Sequence, residues 1–523
     1  MILSNYISGE WKQGKGEGVP LVDPVNGEHL AHASSEGLDL AQALEFSRER
    51  GSRGLQRLAY QQRAELLSKI AEVLTGHRDE YYEICLRNMG ATRSDAAFDV
   101  EGAIYTLKQY AKAGQALHGQ MIKDGALVPL SKTGVFDAQH LLKPLEGVAV
   151  LINAFNFPAW GLWEKAAPAL LSGVAVFVKP ATPTAWLTQK MVEDVVKAGI
   201  LPDGALSIIC GAPGDLLDHL TEHDAISFTG SAATAAKIKT HPAVVAHSVR
   251  VNIEADSLNS AILGGDAPGT QPFELLVKEV AKEMTQKAGQ KCTAIRRILV
   301  PRKSFASFSE ALAAALEAIP VGNPRNAAVK CGPLANKAQQ KSVLDGIAQL
   351  KRECKVIYGD NGNFQPIDAD SENSCFVQPT LLQCDDPMRA TLVHQVEVFG
   401  PVATLMPYDT VEEAIEIARR GRGSLVASIY SDDLTFNEAV ALGLATTHGR
   451  IMVVDSSVGA QHTGHGNVMP SCLHGGPGRA GGGEELGGLR ALDLYHRRFV
   501  VQGPPELLNR LSQNTVDFAA LHG

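Results

Sequence analysis

Cys292 lies in Gly289-Gln290-Lys291-Cys292-Thr293, and a carboxylate, Glu254, precedes it in Val251-Asn252-Ile253-Glu254. A thiol at the mouth of a fold can capture a carbonyl carbon, and a carboxylate across the pocket can then activate water to release the acyl group. Together the two groups suit oxidation of a carbonyl compound through a thioester. Taken alone, a cysteine is more often a buried inert thiol, and Cys292 gains weight from its context. An amphipathic helical pattern, Phe273 to Lys287, runs up to Gly289 just ahead of it. The carboxyl end of a helix does not lower a thiol pKa, so a thiolate there needs a neighbouring base or a bound cationic cofactor.

Strands and helices must bring these groups together. From about 148 to 255, short β-branched runs alternate with helical patterns as in βαβ units: strands at Val148 to Ile152, Val174 to Val178, Leu206 to Cys210 and Ala225 to Thr229, helices at Trp186 to Lys197 and Gly214 to Thr221. A second α/β block runs from Ala261 to about Val454, with helices at Phe273 to Lys287, Ser304 to Glu317, Ala335 to Leu350 and Val411 to Arg420. Gly125 to Leu145 reads as a hairpin, and the apolar stretch Tyr495 to Val501 is a candidate to pair with it at a subunit interface. The fold class is therefore α/β: a Rossmann-like cofactor domain, a second α/β catalytic domain and a small β extension. The boundaries are 1–126 and 147–255 for the first, 256–480 for the second, and 127–146 and 486–503 for oligomerisation strands.

Composition narrows the partners. With 523 residues, 45% hydrophobic and 20% charged, the chain is ordinary globular material with room for several cores. A net charge of −9 disfavours nucleic acid and anionic membranes and leaves a small molecule as the expected partner. The N-terminal residues carry no basic segment followed by an apolar run, which gives a cytoplasmic expectation. The eight cysteines include no Cys-x-x-Cys pair, arguing against a disulfide framework or a zinc site.

Phosphate-binding candidates stand at strand ends. Lys179 closes a buried run in Val178-Lys179-Pro180-Ala181-Thr182, and Gly230 and Ser231 open a helix in Phe228-Thr229-Gly230-Ser231. Each could be an ordinary solvated lysine or helix cap, but together on one sheet they favour a nucleotide. Gly476-Pro477-Gly478-Arg479-Ala480-Gly481 has the spacing of a dinucleotide fingerprint, yet a loop precedes it and a proline interrupts it. His462 and His465 lack companion ligands and read as surface or loop residues, so no metal is expected.

Asn156-Phe157-Pro158, Lys179-Pro180-Ala181, Phe228-Thr229-Gly230-Ser231, Glu254, Gly289-Gln290-Lys291-Cys292, Gly332-Pro333-Leu334 and Glu397-Val398-Phe399-Gly400-Pro401 resemble, in order and spacing, the aldehyde dehydrogenase superfamily. The resemblance covers nearly the whole chain. Within it, Leu473 to Gly487 is similar to the branch that contains 3,4-dehydroadipyl-CoA semialdehyde dehydrogenase of benzoyl-CoA oxidation and the dehydrogenase half of the phenylacetate ring-opening enzyme.

The resemblance implies that Cys292 attacks the aldehyde, Asn156 and the Cys292 N–H hold the oxyanion, and Glu254 activates water. It places a proton relay at Lys165 and Glu485, joined by Glu164, and a cofactor along Lys179, Thr182, Gly214, Gly230, Ser231, Glu397 and Phe399. Where the family continues after Glu254 with Leu-Gly-Gly, this chain has Ala255-Asp256-Ser257, which offers Asp256 as a rival base. Asn156 could otherwise cap a turn, and Phe399 could be a core residue.

Many NAD-preferring relatives carry a glutamate after Lys-Pro-Ala to grip the adenosine ribose; Thr182 stands there, so NADP is the expected cofactor, with NAD possible. The branch implies a CoA-linked aldehyde from aromatic degradation, a homodimer, and positive groups for the CoA phosphates, for which Arg296, Arg297 and Arg479 are available. The alternatives are a CoA-acylating dehydrogenase, which needs no water-activating base, and a non-catalytic binding relative.

Overall fold

The computed structural model describes residues 1–360, 362–370, 372–513 and 515–517. Two seven-stranded sheets dominate the described residues. In the first, five parallel strands lie in the spatial order Arg250–Glu254, Ala225–Thr229, Val148–Ile152, Ala175–Lys179 and Leu206–Ile208. The N-terminal strands Asn5–Ile7 and Glu10–Lys12 extend that sheet in antiparallel fashion. The apolar runs such as Val-Ala-Val-Leu-Ile are continuous because helices cover both faces of the sheet.

Strand order reverses between Val148–Ile152 and Ala225–Thr229, which makes a crevice at their carboxyl ends. The paired register Thr229 with Glu254 and Ile152 with Lys179 sets those residues along one edge. The second sheet presents its amino edge instead. The loops leading into Ser260–Leu263, Arg297–Pro301 and Val402–Tyr408 carry Ser257, Cys292 and Glu397.

Three sequence-based expectations change here. The helix Trp160–Ser172, between the first two core strands, has no visible polar stripe because nearly every residue in it is buried, and it contains Pro168. Gly214 to Thr221 is not an α-helix but a loop with a short 3₁₀ turn, Leu216–His219, so Gly214 opens no helical anion site. The helix Gln271–Thr285 ends before Lys287. Lys287 and Ala288 then take left-handed φ values of 53° and 52°, swinging the chain toward Cys292.

The outer sheet joins Asp137–Pro144 to His496–Gly503 and to Met121–Pro129, with Thr515–Asp517 at its edge. It thus begins earlier than 127, and 488–495 forms a 3₁₀ segment rather than a strand. The glycine-rich tract folds as a two-stranded hairpin, Leu473–Gly475 with Glu484–Leu486, laid over the end of the Arg250–Glu254 strand. Gly481, at φ 105°, is required there because a Cβ would sit 2.4 Å from the Ile253 carbonyl oxygen. No helix among the described residues is long and apolar enough to cross a membrane.

Arg297 ties the second domain together. Its buried guanidinium donates to the carbonyls of Leu258, Ile417 and Ala418 and bonds His394 Nδ1, with no carboxylate partner among the described residues. Burial lowers its pKa to about 9, and nearby Arg479 adds to the effect. Arg297→Met takes a buried donor from all three carbonyls; Leu258 keeps the Ser424 hydroxyl and Ala418 the Gly421 N–H, so the loss is about 1–3 kcal/mol, that of the orphaned Ile417 carbonyl. Thermal unfolding should show a clearly lower midpoint; an unchanged midpoint would contradict this account.

Candidate active site

A cleft of about 520 Å³ is lined by Asn156, Phe157, Trp160, Gly161, Glu164, Lys165, Thr229, Glu254, Cys292, Val468 and His474, among others. It forms where the carboxyl edge of the first sheet meets the amino edge of the second. Cys292 opens on it. The cysteine loop is held by Asn259, whose Nδ2 donates to the Cys292 and Ala294 carbonyls at 2.8 and 3.0 Å. Arg296 holds it too, donating to the carbonyls of Gly289, Lys291 and Gly400. Asn156 Nδ2 donates to the Gln290 carbonyl at 3.0 Å, leaving a second amide proton beside the thiol loop.

Glu254 is buried at the strand end, and its carboxylate, the Cys292 Sγ and a ring nitrogen of His474 lie within 4.8 Å of one another. His474 Nε2 is 3.1 Å from Glu254 Oε2, and the Thr229 hydroxyl donates to the same oxygen at 3.3 Å. Burial alone would raise the Glu254 pKa, but the His474 charge and hydrogen bond, helped by Lys165, hold it down to about 2. Cys292 moves the other way: burial, then the Glu254 carboxylate, push the thiol well above its ordinary value. The group at Cys292 is thus a neutral thiol with the Glu254 carboxylate beside it, not a preformed thiolate.

Behind this pair, buried Lys165 lies 2.9 Å from Glu164 Oε1 and 3.0 Å from Glu485 Oε2. Ser227 and Asn252 donate to Glu485 Oε1. Burial raises Glu164 despite Lys165 beside it, while the surrounding carboxylates keep Lys165 charged against its own burial. The structure therefore gathers Cys292, Glu254, Asn156, Lys165, Glu164 and Glu485 in one place. Asp256 is turned elsewhere, accepting from the Ala232 N–H at 2.9 Å at the start of the helix Ala232–Lys239.

The nucleotide candidates follow the first sheet's edge. Lys179 is largely buried, which lowers its pKa, and no carboxylate among the described residues offsets that. Thr182 donates to the Gly211 carbonyl, and Ser231 caps the Ala232–Lys239 helix. Glu397 is raised to about 7 by burial, opposed by Arg296, and accepts from the Ser257 N–H. Phe399 is half-buried, edge-on to Phe155 and beneath the Arg296 guanidinium, and so is not a plain core residue. Gly214 is exposed on the loop that follows Gly211, the residue whose carbonyl accepts from Thr182.

Other expectations need correction. Arg296 and Arg297 are buried against backbone carbonyls and face no solvent for CoA phosphates. His465 is fully buried, bonding Ser428, rather than on the surface, and neither it nor His462 joins a metal-ligating cluster among the described residues. His474, Thr229 and Asn259 were invisible as site residues in sequence. Only the hairpin brings His474 to Glu254, although it sits in the branch-like stretch after Leu473.

The aldehyde dehydrogenase family model matches residues 11–495. The chain belongs to the aldehyde dehydrogenase family. It is 60% identical over 479 residues to the 3,4-dehydroadipyl-CoA semialdehyde dehydrogenase of Aromatoleum evansii, covering 91% of this chain and 93% of that one. It is 30% identical to the α-ketoglutaric semialdehyde dehydrogenase of Bacillus subtilis (strain 168), over 84% and 88% of the two chains. Betaine aldehyde dehydrogenase of Staphylococcus aureus, solved in complex with NAD+, superposes with a TM-score of 0.83 at 25% identity, over 96% of this chain and 95% of that one. This aldehyde dehydrogenase thus has the two-sheet architecture of its relatives, with its thiol at their junction.

The electrostatics give a checkable sign. Because the Glu254 charge raises the Cys292 pKa, Glu254→Gln should move the pH profile of thiol alkylation by iodoacetamide toward lower pH. An unshifted profile would show that the carboxylate does not control the thiol.

Proposed function

We propose that this aldehyde dehydrogenase oxidises a CoA-linked semialdehyde of the 3,4-dehydroadipyl type to the free carboxylate, using NAD(P) with NADP preferred, in bacterial degradation of aromatic compounds. The observation that carries the hydrolytic reading is the Glu254 carboxylate within 4.8 Å of Cys292, a base that acyl transfer to CoA would not need. The 60% identical relative supports the substrate class. The apolar walls Phe157, Trp160 and Val468 suit an acyl chain. At Gly161 a Cβ would meet nothing within 4 Å, so the helix leaves a lane open beside them.

The residues act in sequence. Cys292 Sγ bonds to the aldehyde carbon as its proton passes to Glu254, and the Asn156 amide and the Cys292 N–H receive the oxyanion. The bound nucleotide, when present, supplies the hydride acceptor. The nucleotide candidates fit it: Lys179 is a partly desolvated cation with no acidic partner among the described residues, at the carboxyl edge beside the strand-order reversal. Lys165, Glu164 and Glu485 carry that first proton away and leave Glu254 ionised. Glu254 then takes a proton from water as the water oxygen bonds to the acyl carbon; the carbon–sulfur bond breaks and the proton returns to sulfur, freeing acid and thiol.

Neutral Thr182 supports NADP, since a carboxylate there would repel a 2′-phosphate. A homodimer formed through the outer sheet and a cytoplasmic location complete the proposal; exposed Val128, Phe499 and Val500 on that sheet support the former.

Two measurements test this reading. The CoA-linked semialdehyde should give far higher kcat/KM than a short free aldehyde, and the product should be the free acid whether or not free CoA is added; acyl-CoA formed at the aldehyde carbon only on CoA addition would overturn the hydrolytic route. Thr182→Glu should lower kcat/KM with NADP by roughly tenfold or more relative to NAD, the scale of a like-charge juxtaposition; equal preference in parent and variant would remove the charge argument.

A further inference from the structure

The site packs more negative charge than its one lysine can balance. Oxygens of Glu164, Glu254 and Glu485 lie within 4.8 Å of one another, and the lysine that reaches them is Lys165. Two buried carboxylates and a half-buried one beside one ammonium demand a second cation or a proton. His474 is placed to be that cation. It stands directly across the hairpin register from Glu485, is itself buried, and reaches Glu254 Oε2 at 3.1 Å.

The two oxygens of Glu254 are unequal. Oε2 is occupied by His474 and the Thr229 hydroxyl, whereas Oε1 is buried with no hydrogen-bond partner among the described residues. A buried carboxylate oxygen without a partner is costly unless something else uses it, and the Cys292 thiol is close enough to do so. We infer that His474 is the positioning residue for Glu254, fastening Oε2 as an imidazolium so that Oε1 is the oxygen that takes the proton from water during release of the acyl group. In that step the water oxygen bonds to the acyl carbon, the carbon–sulfur bond breaks, and the proton held on Oε1 returns to sulfur. The inference rests on the thioester reading above.

A pH signature follows. The groups facing Glu254 are Lys165 and Glu164 from the helix, His474 and Glu485 from the hairpin, Thr229 from the neighbouring strand and Cys292 from its loop. Burial works against a charged His474, but Glu254, Glu164 and Glu485 outweigh it and raise its pKa. A cation beside Glu254 lowers the pH at which that carboxylate protonates, so losing the cation must move the acid limb of acyl release upward.

The test uses the full-length enzyme acylated at Cys292 with p-nitrophenyl acetate, with acyl loss followed by intact-protein mass spectrometry across pH. This readout needs neither aldehyde nor nucleotide. In His474→Phe, which keeps an aromatic ring but no donor, acyl release should slow about tenfold or more, the scale of one hydrogen bond to a charged group. In His474→Gln, which keeps a donor without charge, the rate should fall less, yet the acid limb should still move up by about one pH unit or more. Thermal midpoints near the parent's exclude unfolding as the cause. An acid limb that stays in place in His474→Gln would overturn the inference. Failure of the parent to acylate at Cys292 would instead strike the thioester reading itself.

Discussion

The candidate site keeps a carboxylate ionised inside protein, next to a thiol that burial and the same carboxylate hold neutral. Burial penalises both ions, by several kcal/mol each when uncompensated. The fold meets that constraint by surrounding Glu254 with Lys165 from one helix and His474 from a hairpin, and by anchoring Glu485 on Ser227 and Asn252. The hairpin is held by Gly481 and Gly483, whose lack of side chains lets the chain lie against the Ile253 carbonyl. A tract with the spacing of a phosphate-binding motif is thus a packing device that delivers two charged side chains.

A second constraint concerns the nucleophile's loop. Two left-handed, non-glycine residues, Lys287 and Ala288, are uncommon and costly, by about 1–3 kcal/mol each. The surroundings over-determine them: Gln290 bonds back to the Lys287 carbonyl, while Arg296 and Asn259 grip the carbonyls that follow. Buried arginine used this way explains why Arg296 and Arg297 serve the backbone rather than a ligand. Stiffness at the loop keeps Cys292 within reach of both Glu254 and the Asn156 amide.

Much of this was legible in the sequence, and the parts that were not share a cause. The strands Val148–Ile152 and Ala225–Thr229 are short β-branched runs whose period and bounds are local properties, and Cys292, Glu254 and Asn156 sit in motifs whose chemistry is carried by residue type. The helix Trp160–Ser172 escaped because complete burial erases the amphipathic pattern, although Lys165 on it was identified by motif position. His465 and Arg297 are buried where a surface residue and a phosphate ligand are expected, because a polar side chain carries no local sign of the groups that will enclose it.

What the sequence determined by itself was the set of reactive groups, the alternating α/β pattern and the family, since each depends on residue identity and near-neighbour spacing. What the tertiary structure alone decided was the pairing of charges: His474 with Glu254, and Asp256 with a helix start instead of the pocket. Those partners are far apart in the chain, and electrostatic energy depends on distance and burial in space, neither of which a linear order records.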